Sequence, residues 1–543
     1  MTNSATQAIR DSTASYTARV TTSETGSGVR LADLVAAFSL ATDLGLGQPM
    51  DHVLRSWRIA SQLGDHVGIE ADHRADLYYV VTLAWVGCVA DTPEVATLFG
   101  DDIAFRADSY EVDFAGLPLL GFMLRHIGAG SPPLRRVRLA AGLMATGGKA
   151  VQRGLMSHCL TTARLAERFE LGEPVCRPLQ QVFARWDGKG VPGDLGGSEI
   201  DLPMRLFHLA DTVEVHHRTT GPEAAIEIAR TKRGTHFDPA VVDAFCGVAH
   251  DVLGDPAADH DWDALIGREP LLQRQLDQTQ LDEALEAIAD FTDLRSVHRA
   301  GHSRATADLA AAAATELGLP ESEVSIVRHA GLVHDLGLHG IPASILDRAE
   351  PLRAAESERL RMHPYYTERM LARSEPLSRL GEIASLVRER CDGSGYPRGL
   401  TAATIPATAR LLAAACAYCA MVEPRAHRPA MTTKQAAAEL RNEVRGGRLD
   451  ATAVDAVLAA AGQPQGKRRV GPSGLTPREI EVLILIARGA STRQVAKELT
   501  IAPKTAETHI ERIYTKTGAT TRSTATLFAL QHGLLGSLEP LDL

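Results

Sequence analysis

The stretch from residue 475 to residue 522 reads LTPREIEVLILIARGASTRQVAKELTIAPKTAETHIERIYTKTGATTR, and it decides the fold of the C-terminal part of the chain. Its apolar residues recur at the spacing of a helix that buries one face. They are Ile480, Leu483, Leu485 and Ile486. Thr476, followed by Pro477 and Glu479, forms a capping sequence for this helix. Gly489 is suited to end it.

Two more helices follow in the same stretch. Ser491 is a suitable cap for a second helix that ends near Leu499, and Pro503 can open a third helix that runs to about Thr517. The inward side chains of the third helix are Ala506, Ile510 and Ile513. Its opposite face is polar and partly basic, which is typical of a recognition helix in the DNA major groove. The side chains that we expect to bind DNA are Lys504, Thr505, Thr508, His509, Arg512 and Lys516.

This stretch resembles the LuxR/FixJ type of helix-turn-helix over its full length. The matching positions are Leu475, Thr476, Arg478, Glu479, Gly489, Ala496, Leu499, Thr505, His509, Lys516 and Arg522. Two positions depart, because Ala502 stands where a Ser cap is usual and Ala506 where Val is usual. The resemblance implies a four-helix domain over residues 475–536 that binds double-stranded DNA. A small helical interaction module is the alternative interpretation.

The composition of the chain limits the class of protein. A hydrophobic content of 45% is ordinary for a globular protein, and no apolar run approaches the length of a membrane span. The polar N-terminus lacks a signal-peptide core, so we expect a cytoplasmic protein without a membrane partner. Seven scattered cysteines argue against a disulfide framework.

The charge is distributed unevenly along the chain. The formal net charge is −10, but residues 465–533 carry eleven Lys or Arg and only five Asp or Glu. The rest of the chain is therefore strongly acidic. An acidic body with a basic C-terminal head is typical of a sensor that carries a DNA-binding domain.

Breaks in the sequence pattern indicate how the chain is organised. Residues 1–28 are rich in Ser and Thr, and we expect a disordered tail. The pattern is then helical as far as residue 461, which predicts an all-α fold with two domains over residues 29–270 and 275–461. Residues 462–474, GQPQGKRRVGPSG, form a Gly/Pro linker with a basic cluster that is either solvated or in contact with phosphates.

The two central domains are related by an internal repeat with an offset of about 205 residues. The matching pairs are His158 and His363, Asp187-Gly188 and Asp392-Gly393, Gly190 and Gly395, Pro192 and Pro397, and Arg205 and Arg410. Asp211 falls opposite Cys416, and FDPAVVDAF from Phe237 aligns with LDATAVDAV from Leu449. We therefore expect a pseudo-symmetric pair of helical domains packed together.

The second repeat contains widely spaced histidines followed by the loop CDGSGYPRGL. His and Asp side chains on successive inward-facing helices can build a metal site in a helical bundle. The repeat resembles the HD-GYP subgroup of the HD phosphohydrolases across about residues 281–461, with His334-Asp335 and Gly395-Tyr396-Pro397 as the name motifs. Many members hydrolyse cyclic di-GMP at a centre of two or three metal ions. The resemblance puts four residues on ligand positions: His302, His334, Asp335 and His363.

Other positions depart from the pattern of that family. Its usual His-His pair, its two later acidic residues and its Lys after His-Asp-x-Gly are replaced by Val387, Arg388, Cys416, Cys419 and Leu338. Val387 has no ligand atom, and the charge of Arg388 would repel cations. We therefore name no catalytic residue, and we expect at most one divalent ion (Fe, Mn or Zn). The alternative is a hydrogen-bonded polar network without a metal ion.

Two features leave alternatives open. Cys416 and Cys419 form a C-x-x-C pair. The pair could bind zinc, act as a redox pair, or consist of two small side chains that fill the space of a decayed site.

In the first repeat, the alignment puts Gly87-Cys88 where the His-Asp pair would fall and Val182-Phe183 at the paired histidines. The polar remnants of the first repeat, too few for a metal site, are His158, Asp211 and Glu214. Near the start of the first repeat, four aromatic residues either belong to the hydrophobic core or form a cage around a ligand: Trp57, Tyr78, Tyr79 and Trp85.

Together these features predict a transcription regulator whose helical body senses an effector or dimerises. Two recognition helices on neighbouring half-sites favour a homodimer. A pocket left by a decayed metal site could bind a nucleotide or another small molecule. Two alternatives remain, a metal-dependent phosphohydrolase with a DNA-binding head and a zinc or redox sensor that acts through the two cysteines.

Overall fold

A computed structural model describes most of the chain. The described residues are 28–70, 73–89, 91–110, 112, 116–129, 132–145, 149–193, 195–255, 261–267, 269–463, 472–519, 521–532 and 534. They contain helices and isolated β-bridges but no strand, which confirms the all-α prediction. None of these helices has the length and apolar character needed to cross a bilayer. The predicted tail, except Gly28, and residues 464–471 of the predicted linker lie outside the described residues.

The described residues fall into two compact units, a body that ends at residue 463 and a C-terminal unit. The helices of the first repeat are α1 (Leu31–Gly45), α2 (His52–Val67), α3 (Arg74–Leu83), α4 (Thr92–Phe99), α5 (Asp102–Ser109), α6 (Gly116–His126), α7 (Pro133–Ala145), α8 (Lys149–Arg168), α9 (Glu173–Leu179), α10 (Leu202–Thr220), α11 (Pro222–Thr231), α12 (Pro239–Leu253) and α13 (Trp262–Gly267). Helix α10 packs against α2, α3 and α11 and forms the centre of this repeat.

The second repeat continues the body. Its helices are α14 (Gln278–Asp293), α15 (His302–Glu316), α16 (Glu321–Val333), α17 (Ala343–Leu346), α18 (Ala354–Arg361), α19 (His363–Leu371), α20 (Glu375–Ala384), α21 (Ala407–Val422), α22 (Thr433–Arg445) and α23 (Ala451–Ala460). The central helix here is α15, which packs against α16, α21 and α23.

Two matching ion pairs support the internal repeat. Arg205 on α10 donates to Asp238 at 2.6 Å, and Arg410 on α21 donates to Asp450 at 2.9 Å. Each aspartate also caps the helix that follows it, α12 in the first repeat and α23 in the second. The segments that the alignment paired therefore occupy equivalent positions in the two repeats.

Two glycines show which residues of the repeats correspond around the His-Asp motif. A Cβ atom on Gly337 would overlap the carbonyl oxygen of His363, and one on Gly87 would overlap that of His158. Gly87 is thus the counterpart of Gly337, which lies two residues after His334-Asp335. The predicted correspondence of Gly87-Cys88 with that motif is therefore wrong. The insertion in the first repeat hid the correct counterpart, Ala84-Trp85.

The repeats share one hydrophobic core and are tied by a buried ion pair. Arg295 of the second repeat donates to Asp102 of the first at 2.9 Å, and both side chains are at most 1% exposed. The second oxygen of Asp102 accepts the backbone N–H of Ala343 at 2.9 Å. Burial opposes ionisation of this carboxyl, but Arg295 and Arg106 outweigh it and lower its pKa. The pair should stabilise the packing of the repeats, because removing one partner would leave a buried charge.

The described residues of the C-terminal unit form four α-helices, as predicted. They are α24 (Pro477–Ala487), α25 (Thr492–Glu498), α26 (Pro503–Thr517) and α27 (Arg522–Gln531). Thr476 and Ser491 form the side-chain caps of α24 and α25. Ala502 stands at the start of α26 without a side-chain cap, as the sequence indicates. The core includes Val482, which the sequence analysis did not single out, and Ile513.

We predict that Gly337→Ala destabilises the body by at least about 2 kcal/mol, because the added methyl group must displace the backbone of His363. The measurement is denaturant unfolding of the full chain. Gly247→Ala on α12 is the matched control, since a Cβ atom there meets nothing within 4 Å and should be neutral or stabilising. Equal free energies of unfolding for the two variants would contradict the close approach of Gly337 to the backbone of His363.

Candidate functional site

A histidine is the first residue of one core helix in each repeat. His302 is the first residue of α15 and follows Gly301 with φ of 78°. His52 is the first residue of α2 and follows Asp51 with φ of 77°. Both side chains are fully buried. The two histidines are therefore equivalent, and each faces the centre of its own repeat.

His52 is not among the residues predicted from the sequence, although the sequence contains a signal for it. Thr42-Asp43-Leu44 precedes His52 at the same distance as Thr292-Asp293-Leu294 precedes His302. The two aspartates also make the same contact, since each accepts the backbone N–H of the residue after its histidine, at 3.0 Å and 2.9 Å. The offset here is about 250 residues instead of about 205, because the first repeat contains an insertion after this point.

Three of the side chains around His302 could hold a metal ion. The Nε2 atoms of His302 and His334 lie 3.8 Å and 3.6 Å from Sγ of Cys416, and the three atoms are all within 4.8 Å of one another. All three residues are buried. Two imidazoles and a thiolate are a donor set that suits zinc.

The hydrogen bonds of the histidines leave their Nε2 lone pairs directed into the site. Nδ1 of His334 donates to the carbonyl oxygen of Gly331 at 2.6 Å, and Nδ1 of His363 donates to that of Leu360 at 2.7 Å. Burial, together with the nearby charge of Arg299, lowers the pKa of His334 to about 3. The imidazoles are therefore neutral at neutral pH, which is the form that binds metal ions.

Asp335 completes this cluster. One of its oxygens lies 3.1 Å from Nε2 of His334, so two electron-rich atoms face each other and require a cation between or beside them. Nη2 of Arg299 directly contacts the same oxygen and supplies a positive charge. The other oxygen of Asp335 and Nε2 of His363, 3.8 Å apart, are buried and lack a hydrogen-bond partner among the described residues. These atoms fit one metal ion, which would compete with Arg299 for the carboxylate.

The residues do not fit a second metal ion. Val387 and Arg388 occupy the positions of the usual histidine pair, and neither can donate an electron pair to a cation. The charge of Arg388 also adds to burial in lowering the pKa of His363. This half of the site therefore repels cations, as the sequence analysis predicts.

Glu389 and Cys419 lie near the site but are not placed as metal ligands. The carboxylate of Glu389 accepts hydrogen bonds from the backbone N–H groups of Arg398 and Leu400 at 2.7 Å and 2.8 Å, so it anchors the loop that contains the Gly-Tyr-Pro motif. Burial raises the pKa of Cys419 to about 12, so its thiol stays protonated and is a poor redox group.

The corresponding site of the first repeat is closed by an ion pair. Nδ1 of His52 lies 2.5 Å from Glu214, and its Nε2 lies 3.1 Å from Asp211. Although burial disfavours the charged imidazole, Glu214 and Asp211 outweigh it and raise the pKa of His52 to about 10. Glu214 also accepts from Arg55 at 2.6 Å. A protonated histidine cannot bind a metal ion, so the two remnant carboxylates serve a salt bridge.

Trp85 stands where the second repeat has Asp335. Its indole N–H donates to Asp211 at 2.8 Å, and its ring packs against Phe183 and Phe207 with centroids 5.8 Å away in both cases. His158, the counterpart of His363, donates to the carbonyl oxygen of Ala84 at 2.8 Å and lies in the core. Trp57, Tyr78 and Tyr79 are buried core residues, so they do not form a cage with Trp85.

The C-terminal unit carries the residues expected to bind DNA on helix α26. Ala506 and Ile513 are buried against the other helices, which fixes the orientation of α26. Of the side chains named from the sequence, Lys504, Thr505, Arg512 and Lys516 are exposed, and Thr508 and His509 are half-buried. At 3.6 residues per turn, positions 505, 509, 512 and 516 share one face of the helix.

Lys516 also makes an internal contact. Its Nζ donates to the buried carboxylate of Glu479 at 2.7 Å and to the carbonyl oxygen of Gly474 at 2.9 Å. Glu479 belongs to the capping box of α24. Lys516 therefore holds α26 against the start of α24, in addition to any contact with DNA.

Two family models match the chain. Residues 286–453 match the HD domain, and residues 473–529 match the bacterial regulatory proteins of the luxR family. The first match covers the helices that hold His302 and Cys416, and the second covers α24, α25, α26 and most of α27.

Curated relatives of the body are phosphodiesterases. The chain is 25% identical over 435 residues to 3'3'-cGAMP-specific phosphodiesterase 3 of Vibrio cholerae, covering 79% of this chain and 93% of that protein. It is 32% identical over 185 residues to the cyclic di-GMP phosphodiesterase response regulator RpfG of Xanthomonas campestris, covering 33% of this chain and 48% of that protein. The long alignment is consistent with relatedness over both repeats.

The body also resembles a solved structure. The crystal structure of cyclic GMP-AMP specific phosphodiesterases in V. cholerae covers 81% of this chain and 98% of its own, with a TM-score of 0.57 and 22% identity. At this identity the likeness concerns the fold alone.

We predict that the ion pair of His52 makes the stability of the body depend on pH. Because the folded pKa is raised from 6.5 to about 10, the contribution is complete below about pH 6.5 and is lost as the pH rises towards 10. The pKa of Glu214 is lowered from 4.5 to about 2, so its contribution is lost as the pH falls below 4.5. The difference in unfolding free energy between wild type and His52→Gln should therefore be largest between about pH 4.5 and 6.5.

The measurement is denaturant unfolding of both proteins from about pH 4 to pH 9. His250→Gln is the control, because His250 is exposed and lies 3.7 Å from the exposed Glu223. The free energy of unfolding of the His250→Gln variant should differ little from that of the wild type at every pH. A difference for His52→Gln that stays constant from pH 6.5 to 9 would contradict the charged state of His52.

Proposed function

We propose that this chain, which joins an HD-GYP-like body to a LuxR-type helix-turn-helix domain, is a DNA-binding transcriptional regulator. The observation that carries the proposal is the exposed polar face of α26, held in place by a buried apolar face. Its basic side chains can neutralise phosphates, and its Thr and His side chains can reach base edges. The partner is double-stranded DNA, and two copies of the chain bind neighbouring half-sites as a homodimer.

The body acts as a sensory or dimerising module in this proposal. Two observations support a role other than catalysis. The first repeat has replaced its metal site by the pair of His52 with Glu214. The second repeat retains the donors for one ion but has Val387 and Arg388 where the family has histidines. Regulation by a small molecule through the body would change the affinity of the C-terminal unit for DNA.

A second candidate function is a metal-dependent phosphohydrolase with a DNA-binding head. The arrangement of His302, His334, Asp335 and Cys416 favours it, since these residues would hold one divalent ion. Such an ion activates water and polarises a phosphodiester. Arg299 and Arg388 would then contact the negative phosphate groups. The incomplete ligand set makes this the weaker of the two candidates.

We predict that Arg512→Ala weakens DNA binding about ten-fold or more and lowers the slope of the salt dependence by about one. The measurement is a fluorescence anisotropy titration of promoter DNA with the full chain at several salt concentrations. Arg488→Ala is the matched control, because Arg488 is an exposed arginine outside α26. Lys516→Ala should lower both DNA affinity and thermal stability, owing to its contact with Glu479. If Arg512→Ala bound DNA with the same affinity as Arg488→Ala, the result would contradict the proposal that the exposed polar face of α26 contacts DNA.

We predict that the purified chain binds at most about one zinc ion after reconstitution and does not hydrolyse cyclic di-GMP. Metal analysis and a turnover assay test this. His334→Ala and Cys416→Ser should lower the zinc content, whereas Cys419→Ser should leave it unchanged, because Cys419 does not belong to the donor cluster. Two bound transition-metal ions together with rapid turnover would favour the phosphohydrolase and contradict the regulatory role of the body.

A further inference from the structure

The first repeat contains a cavity of about 160 Å³ at the place where the second repeat has its His-Asp and Gly-Tyr-Pro motifs. Trp85, the counterpart of Asp335, forms part of its wall, together with Gly190-Val191 from the corresponding loop. Asp211, the counterpart of Cys416, lies beside it. The cleft has thus been kept, while Ala84 and Trp85 stand in place of the His-Asp pair.

The walls of the cavity are rich in aromatic rings. The rings that line it belong to Trp85, Phe105, Tyr110, Phe183 and Phe207. Trp85 is in edge contact with Tyr110, Phe183 and Phe207, so the rings form a continuous surface rather than isolated contacts. Such a surface favours a flat ring in the ligand, because aromatic groups pack edge-to-face or with an offset.

One side of the cavity is cationic and polar. It is lined by Arg185, Lys189 and Lys232. Arg185 and Lys189 also pair with the carboxylate of Asp187 at 3.0 Å and 3.8 Å, so the cations on this side outnumber that one carboxylate. His236 lies beside them, and its buried Nδ1 has no hydrogen-bond partner among the described residues. Burial, together with the charges nearby, lowers the pKa of His236, so it offers a neutral hydrogen-bonding group. This side suits an anionic group that also accepts or donates a hydrogen bond.

The cavity is large enough for a small organic molecule. One water molecule needs about 10–15 Å³ on the same measure, so the space exceeds that of a single water by about ten-fold. An apolar core with a few converging polar groups is the usual form of a small-molecule site.

We infer that this cavity binds a small molecule that consists of an aromatic ring and an anionic group, and that this molecule is the effector of the chain. The aromatic wall holds the ring, and the side with Lys189, Lys232 and His236 holds the anion. A nucleoside monophosphate and an aromatic carboxylate both have this chemistry. The role as effector rests on the proposed function, whereas the binding itself does not.

Isothermal titration calorimetry of the full chain with GMP and with salicylate tests the inference. At least one of the two probes should bind, and the tighter one identifies a phosphate or a carboxylate as the anionic group. Where GMP binds, guanosine and ribose 5-phosphate should each bind at least about ten-fold more weakly, since each lacks one half of the recognised chemistry. Where salicylate is the tighter probe, benzyl alcohol should bind at least about ten-fold more weakly than salicylate. Absence of binding by both GMP and salicylate would overturn the inference.

Two variants test the location. Lys189→Glu combined with Lys232→Glu should weaken binding of the tighter probe at least about ten-fold, because the charge beside the anion is reversed. Lys434→Glu is the control, since Lys434 is an exposed lysine on α22 of the second repeat and does not line the cavity. The probe should also change the tryptophan fluorescence of the wild-type chain, and Trp85→Phe should reduce that change. Unchanged affinity in the double variant would place the ligand elsewhere and overturn the inference.

Promoter-DNA affinity, measured with and without the bound probe, separates the two proposals. A probe that binds in the cavity and changes DNA affinity supports both. Binding in the cavity without DNA binding by the full chain would overturn the proposed function and leave only the binding site. DNA binding that the bound probe does not change would overturn its role as effector.

Discussion

The charge that surrounds one buried histidine decides what each repeat of the body can do. In the second repeat, Nδ1 of His302 lies 2.8 Å from Glu423, but burial and the nearby charges of Arg299 and Arg425 hold its pKa well below the usual value and keep its imidazole neutral. In the first repeat, two carboxylates surround His52 and keep it protonated. A neutral imidazole can bind a metal ion, and an imidazolium cannot. The same helical scaffold therefore holds a site that fits one ion and another that is closed to ions.

Loss of the metal ligands has different structural consequences in the two repeats. In the first, Trp85 takes the place of a ligand and lies beside a cavity with aromatic walls. In the second, Arg299 contacts Asp335 and supplies a positive charge beside the carboxylate. Burying an unpaired carboxylate would be costly, so this contact stabilises the fold.

The sequence predicted the features that depend on local signals. Thr476 and Ser491 cap their helices as expected, since capping needs only residues three positions apart. The His-Asp motif and its missing partners were likewise visible in the sequence. The correspondence of Ala84-Trp85 with His334-Asp335, and of His52 with His302, was not identified, because the insertion changes the offset between the repeats. The roles of Arg299 and of the Lys516–Glu479 pair depend on contacts between distant segments, which no periodicity reveals.

The central claim of the proposal is that the C-terminal unit recognises DNA under the control of the body. The most direct measurement is the mapping of DNA sites bound by the full chain across a genome, repeated with a chain that lacks the body. The account predicts a shared sequence made of two half-sites about one helical turn apart, with occupancy that falls when the body is removed. Bound fragments without a common sequence, in either experiment, would contradict it.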